Sequence, residues 1–269
     1  MNKSSFIDIF LAFILLAAST APSHAAVLYS QLDNPSSSGI TSQEFEIPRS
    51  NLNTMAADDF VITGETWKIE ELYIPGSLSG SPHSSLLAAG AAVNVTFYQD
   101  DSGKPGALYA SFLNQQFTEG DPGELTITLS IPVELDSGTW WLSVVVVLDY
   151  DGGQWYWGSR TVQTGFAAVW QNPGNGFLTG CTTWTTKTDC APGPQSLPDQ
   201  LFEIRGQKII QQVPEPATLT LMGIGLAGIG VARNLKSAKC RVSCDYLPRR
   251  SYALFEARSL LQEIFGSSK

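Results

Sequence analysis

The sequence predicts an all-β protein, a two-sheet antiparallel β-sandwich with a jelly-roll-like order. Three observations carry that expectation. Charged residues make up only 15% of the chain while Gly and Pro are abundant, at 24 and 15 residues. Helical bundles favour more Lys, Glu and Ala than this. Short apolar or alternating runs bounded by Gly, Pro, Asn and Asp also recur from about residue 27 to 208, the rhythm of strands joined by turns.

The predicted strands are Val27–Gln31, Asp59–Ile62, Trp67–Ile74, Ala91–Tyr98, Leu108–Phe112, Leu125–Leu129, Trp140–Leu148, Gln154–Gly158, Ala167–Trp170 and Leu201–Arg205. Leu125, Ile127 and Leu129 alternate with threonines, so one face of that strand is expected to be buried. The run from Trp141 to Leu148 is almost continuously apolar. It is expected at the centre of a sheet, because such an edge would template aggregation.

The two ends read as addresses. Residues 1–25 form a secretory signal peptide: Lys3 begins it, Phe6 to Ala18 is mostly apolar, and Ser23-His24-Ala25 supplies small residues for cleavage after Ala25. Asp8 interrupts the apolar run, and a membrane-spanning helix would need a longer one. The globular domain is 26–208, followed by a linker at 209–216, an apolar helix at 217–232 and a basic tail at 233–269. The sixteen uncharged residues from Ala217 to Ala232 span roughly 24 Å as a helix, slightly short of a bilayer core of about 30 Å.

Charge supports this topology. Ala26 to Gln212 carries 7 basic and 20 acidic residues, a net −13, whereas Arg233 to Lys269 is net +5. A domain so acidic is repelled by phosphate backbones, which argues against nucleic-acid binding. The basic cluster of Arg233, Lys236, Lys239 and Arg241 is expected to stay in the cytoplasm, leaving the domain outside.

Val213-Pro214-Glu215-Pro216, the short helix rich in Gly, Leu and Ile, and Arg233 just beyond it resemble the PEP-CTERM sorting signal of Gram-negative bacteria. The resemblance implies an exosortase substrate, held in the inner membrane through 217–232 and destined for the cell surface or extracellular matrix. It also implies a setting of exopolysaccharide and biofilm formation, with signal peptidase and exosortase as processing partners. The chain departs from that pattern in continuing from 237 to 269. That stretch is either a genuine cytoplasmic extension or the product of a lost stop codon or frameshift. Within the helix, Gly223, Gly225 and Gly228 match a dinucleotide-binding spacing. No strand precedes them, so close helix packing is the better account.

The blocks Ala57–Ile62, Val95–Gly106 and Gly138–Ser143 resemble a sandwich domain that recurs in exported bacterial proteins, many with the same tail. That resemblance implies the fold and no activity.

Cys181 and Cys190 stand nine residues apart in a compartment where disulfides persist, and are expected to pair. Cys240 and Cys244 fall in the cytoplasmic tail and are expected to stay reduced. Of two histidines, His24 leaves with the signal peptide and His83 lies in a Ser/Gly/Pro-rich loop, so a histidine-based triad or zinc centre is not expected. Asp58, Asp59, Glu70, Glu71, Asp149 and Asp151 supply carboxylates, but the spacing that glycoside hydrolysis requires is not readable from sequence.

No cofactor is expected beyond a structural calcium. Asp149-Tyr150-Asp151-Gly152-Gly153 and Asp100-Asp101-Ser102-Gly103 suit either calcium or an ordinary hairpin turn. Trp155 and Trp157 share one face of a strand. They either stack on extracellular polysaccharide or fill the core. The expected function is a non-enzymatic, structural or adhesive surface protein. A carbohydrate-binding module and an exported glycosidase are the alternatives.

Overall fold

The computed structural model describes residues 25–191, 193 and 197–209. The chain divides into two compact units, 1–211 and 212–269, and the described residues all belong to the first. The expected signal peptide, sorting helix and basic tail lie outside the described residues, apart from Ala25. Among the described residues no helix is long and apolar enough to cross a membrane.

The strands, in chain order, are β1 (Ala26–Ser30), β2 (Pro35–Thr41), β3 (Gln43–Glu44), β4 (Met55–Ile62), β5 (Thr66–Ile74), β6 (Gly76–Ser79), β7 (Ala92–Asp100) and β8 (Pro105–Gln115). They continue as β9 (Phe117–Glu119), β10 (Leu125–Leu135), β11 (Gly138–Val147), β12 (Gln154–Arg160), β13 (Val169–Gln171), β14 (Thr185–Thr186), β15 (Asp199–Gln200) and β16 (Glu203–Ile209). A one-turn helix α1 (Lys187–Cys190) and two 3₁₀ turns, Ile47–Leu52 and Tyr150–Gly152, complete the described elements. The all-β class and each of the ten predicted strands are present.

The two-sheet, jelly-roll-like arrangement is corrected. The strands form three sheets, ordered β1-β16-β5-β10-β9, β14-β13-β4-β11-β7-β8, and β15-β12-β2 with β6 also on β12. One pair, β3 with β11, is parallel. The third sheet arises where the chain bends between sheets: β5 ends at Ile74 and β6 begins at Gly76. Pro75 between them has no N–H to continue the ladder, and its carbonyl instead accepts from Gly158 at 2.9 Å.

Register explains which side chains point inward. In β5, Trp67, Ile69, Leu72 and Ile74 are buried, although simple alternation from Ile69 would aim Glu71 at the core. The pairing with β16 shifts register between Arg205 and Gly206. This bulge at Glu70 resets the phase so that Leu72 and Ile74 turn in. Glu71 remains outward and pairs with Arg205 at 2.7 Å.

β11 lies between β4 and β7, and Trp140 to Val146 is buried throughout, as its apolar run predicts. Its inward residues, with Phe60, Phe97, Trp155, Trp157 and Phe202, belong to the main core. Its other face carries Trp141, which packs with Ala57 and Val169 and stacks on Phe166 at 6.3 Å. The segment following β12 therefore folds back over β11 and covers a second face.

Candidate functional site

That returning segment buries a cluster of ionisable side chains against β4. Asp58, Asp59, Ser159, Lys187, Asp199 and Gln200 are each no more than 1% exposed. Asp58 Oδ2 accepts 2.7 Å hydrogen bonds from Gln31 Nε2 and from the Gln200 amide. Asp59, the next residue along β4, points to the other side of the strand, where its Oδ1 accepts from the Phe166 amide at 2.9 Å.

Lys187 enters from α1, next to the Cys181–Cys190 disulfide that anchors this turn. Its Nζ donates to Ser159 Oγ at 3.1 Å, to the Asp199 carbonyl at 3.0 Å and to Gln200 Oε1 at 3.0 Å. All three acceptors are neutral oxygens, which satisfies the amine's three donors. Arg160 closes the cluster toward solvent. Its Nη1 lies 3.5 Å from Asp199 Oδ2 and its Nη2 lies 2.7 Å from Asp33 Oδ1.

Burial dominates the electrostatics. It holds Asp58 well above the usual carboxylate range, and the charge of Asp199 adds to the effect. Burial likewise pushes Asp59 up to about 7 and Asp199 to about 6, the latter against the hydrogen bond from Thr164 and the charge of Arg160. Lys187 is pulled down to about 8 because desolvation outweighs the attraction of Asp58 and Asp199. Two polar atoms of the cluster, Asp199 Oδ1 and Gln200 Nε2, are buried without a hydrogen-bond partner.

Sequence reasoning singled out Asp58 and Asp59 as carboxylates but missed Lys187, Asp199, Gln200 and Arg160. Lys187 sits in the polar run Thr185-Thr186-Lys187-Thr188-Asp189, and nothing local marks it as buried. Glu70 and Glu71 are engaged by Lys68 and Arg205, at 3.1 and 2.7 Å.

A second feature gathers residues noted from sequence. His83, Asn114, Leu148, Asp149, Asp151 and Gly152 line an open pocket of about 500 Å³. Gly153, at φ 112°, turns the chain after the 3₁₀ turn, a conformation that favours glycine. Gln43 Nε2 fixes the turn by donating to the Leu148 and Gly153 carbonyls, both at 3.0 Å. Among the described residues no three His, Cys, Asp or Glu side chains converge as a metal site. The other turn flagged for calcium is a hairpin joining β7 to β8. Asp100 Oδ1 there accepts from the Gly103 amide at 3.1 Å and from Trp141 Nε1 at 2.8 Å.

The tryptophan pair resolves to the core. Trp155 and Trp157 share a face, as predicted, but both are fully buried. Their indole N–H groups donate to the Gly123 carbonyl at 2.8 Å and the Leu201 carbonyl at 2.7 Å. The sugar-stacking role is therefore corrected: these rings fill core volume and cap backbone carbonyls. Cys181 and Cys190 form the expected disulfide, with Cα atoms 5.9 Å apart.

The described domain is thus a disulfide-bearing all-β unit that ends just before the sorting motif. Residues 212–234 match the family model of the PEP-CTERM protein-sorting motif. That match spans Val213, Pro214, Glu215, Pro216 and Arg233, which lie outside the described residues. The chain carries this motif, which implies export, processing by an exosortase and membrane-anchored sorting to the cell surface. A search of curated proteins found no match to the chain.

Proposed function

We propose that this chain is a non-enzymatic structural or adhesive protein of the extracellular matrix, delivered by its sorting motif to exopolysaccharide around the cell. The observation that carries this reading is the junction of that motif with a domain in which the paired tryptophans and Asp58 are engaged internally. Trp155 and Trp157 lie in the core. Asp58 is wholly buried and bonded to Gln31 and Gln200, which leaves it unsuited to the paired, accessible carboxyls of a glycosidase. No cofactor enters the reading. Signal peptidase and exosortase are its processing partners, in a Gram-negative envelope.

The test is a deletion strain complemented with the full chain. Loss of cell aggregation or of matrix-retained protein on deletion, restored by complementation, is expected. Release of new reducing ends from the cell's own exopolysaccharide by purified protein would overturn the non-enzymatic reading.

A second reading, carbohydrate binding, rests on the open pocket at His83, Asn114, Asp149 and Asp151. Carboxylate and amide groups there suit sugar hydroxyls, although polysaccharide sites usually add an aromatic platform. Retention on a polysaccharide resin that Asp149→Ala and Asp151→Ala abolish, with the fold intact, would favour it.

A further inference from the structure

We propose that Lys187 and Gln200 become joined by an intramolecular isopeptide bond, the lysine amine displacing ammonia from the glutamine carboxamide. Four observations of the buried cluster lead there, and none depends on the function proposed above.

First, nucleophile and acyl donor are already paired: Lys187 Nζ is 3.0 Å from Gln200 Oε1. Second, Ser159 lies between them. Its Oγ accepts from Lys187 Nζ at 3.1 Å and donates to Gln200 Oε1 at 3.1 Å. It therefore polarises the carbonyl and can relay a proton to it. Third, the group that must leave, Gln200 Nε2, is buried with no hydrogen-bond partner. A buried amide N–H₂ without an acceptor is destabilised in the starting state. Fourth, Lys187, Ser159 and Gln200 are all inaccessible to solvent. Water is thus kept from hydrolysing the acyl group, and the reactants are held at high effective concentration.

The surroundings adjust the amine. Desolvation lowers the affinity of Lys187 for its proton, so a neutral, nucleophilic fraction exists near neutral pH. The reaction begins with passage of one ammonium proton through Ser159 Oγ to Gln200 Oε1, along the hydrogen bonds that join the three groups. A small rotation of the Gln200 amide then turns Cδ toward Nζ. Nζ attacks Cδ, and the C=O electron pair moves to Oε1, which Ser159 Oγ–H steadies. Collapse reforms the carbonyl and breaks Cδ–Nε2. The departing nitrogen collects the amine protons and leaves as ammonium. One N–C bond forms, one breaks, and nothing is oxidised or reduced. Lys187 and Gln200 are here the reacting groups and Ser159 the catalytic one.

The bond would tie α1, inside the disulfide loop, to β15, closing a second ring over 187–200 that overlaps the Cys181–Cys190 ring at residues 187–190. It would also remove a buried positive charge.

The full chain, expressed with its export signal, is reduced, alkylated and digested with trypsin, and the peptides are weighed. Trypsin should cut after Arg160 and Arg205 but not after an acylated Lys187. A single 161–205 peptide, about 17 Da lighter than its unmodified mass, is the expected result. Separate 161–187 and 188–205 peptides would overturn the proposal. A loss of about 18 Da would also overturn it, by making an aspartate carboxyl the acyl donor. Ser159→Ala, checked by circular dichroism for an intact fold, should leave most chains cleavable after Lys187. Complete cross-linking in folded Ser159→Ala would remove Ser159 from the mechanism.

Discussion

The carboxylate of Asp58, on β4, accepts a 2.7 Å hydrogen bond from the backbone amide of Gln200, 142 residues further along the chain. The same oxygen accepts from Gln31 Nε2 at 2.7 Å. One buried side chain thus joins the first strand's exit, the large sheet and the last crossover into β16.

Asp58→Ala should therefore destabilise more than an ordinary surface change. It strips the buried Gln200 amide of its acceptor and Gln31 Nε2 of one of its two, the Gln200 carbonyl remaining. An unsatisfied buried donor costs about 1–3 kcal/mol, so a loss of about 3 kcal/mol is expected. Urea unfolding of the oxidised domain measures it. A loss under 1 kcal/mol would mean water or another group replaces the carboxylate.

Acid should stabilise the domain over a defined window. Asp59 and Asp199 are raised from 3.8 to about 7 and about 6, so the folded state binds their protons more tightly than the unfolded state. Their contribution is fully present below about pH 4 and is lost as pH rises through 6 and 7. Lys187 is lowered from 10.5 to about 8. Its penalty grows as pH falls from 10.5 through 8 and is constant below about 7. The midpoint of thermal unfolding should consequently fall between pH 5 and 7.5. Asp59→Asn should flatten the upper part of that slope, and an unchanged slope would show that Asp59 titrates normally.

Replacing both Cys181 and Cys190 with Ser should cost about 2–3 kcal/mol, from the freedom restored to a short loop in the unfolded chain. Because α1 is the last turn of that loop and ends at Cys190, hydrogen exchange should rise first around Lys187. Protection unchanged there would separate the disulfide from the buried cluster.

Trp157→Ala should remove about 3–5 kcal/mol by emptying a core site, and it also deprives the Leu201 carbonyl of its donor. Trp157→Phe should fold and leave retention on polysaccharide unchanged. Lost retention in a folded Trp157→Phe protein would restore a sugar-binding role to that face.

Pro214→Ala with Glu215→Ala should block exosortase processing. In the parent strain the released protein is expected to start near Ala26 and end close to Pro214–Pro216. In the variant, or without the exosortase, intact mass should show a membrane-retained chain still running to Lys269. Normal release from the variant would show that the motif is not what the enzyme reads.

Much of this fold was legible where side-chain pattern alone decides. Trp67–Ile74 and Trp140–Leu148 read correctly as strands because apolar spacing and burial coincide in them. β2, Pro-Ser-Ser-Ser-Gly-Ile-Thr, has no such pattern. It is a strand because β12 supplies its partners, a tertiary cause with no local trace. The third sheet was illegible for a similar reason: Pro75 reads as a strand end, and only the geometry shows the chain entering a different ladder. The two indoles of Trp155 and Trp157 were correctly placed on one face, but which side faces the core depends on packing partners far away in sequence. The ionisable cluster was the least legible part. Asp58 and Lys187 come together across more than a hundred residues, and a lysine in a threonine-rich stretch looks solvated until a sheet covers it.

β16 has a consequence for how the protein bears load. This last described strand is flanked on both sides, by β1 at Glu203–Gly206 and by β5 at Glu203–Ile209, and the sorting motif begins at residue 212. Any tension transmitted through a membrane-held tail therefore enters an interior strand rather than a frayed edge. To free β16 it must break the ladders to both β1 and β5. While the tail is still attached to the membrane, the domain is thus held through a strand that has a neighbour on each side.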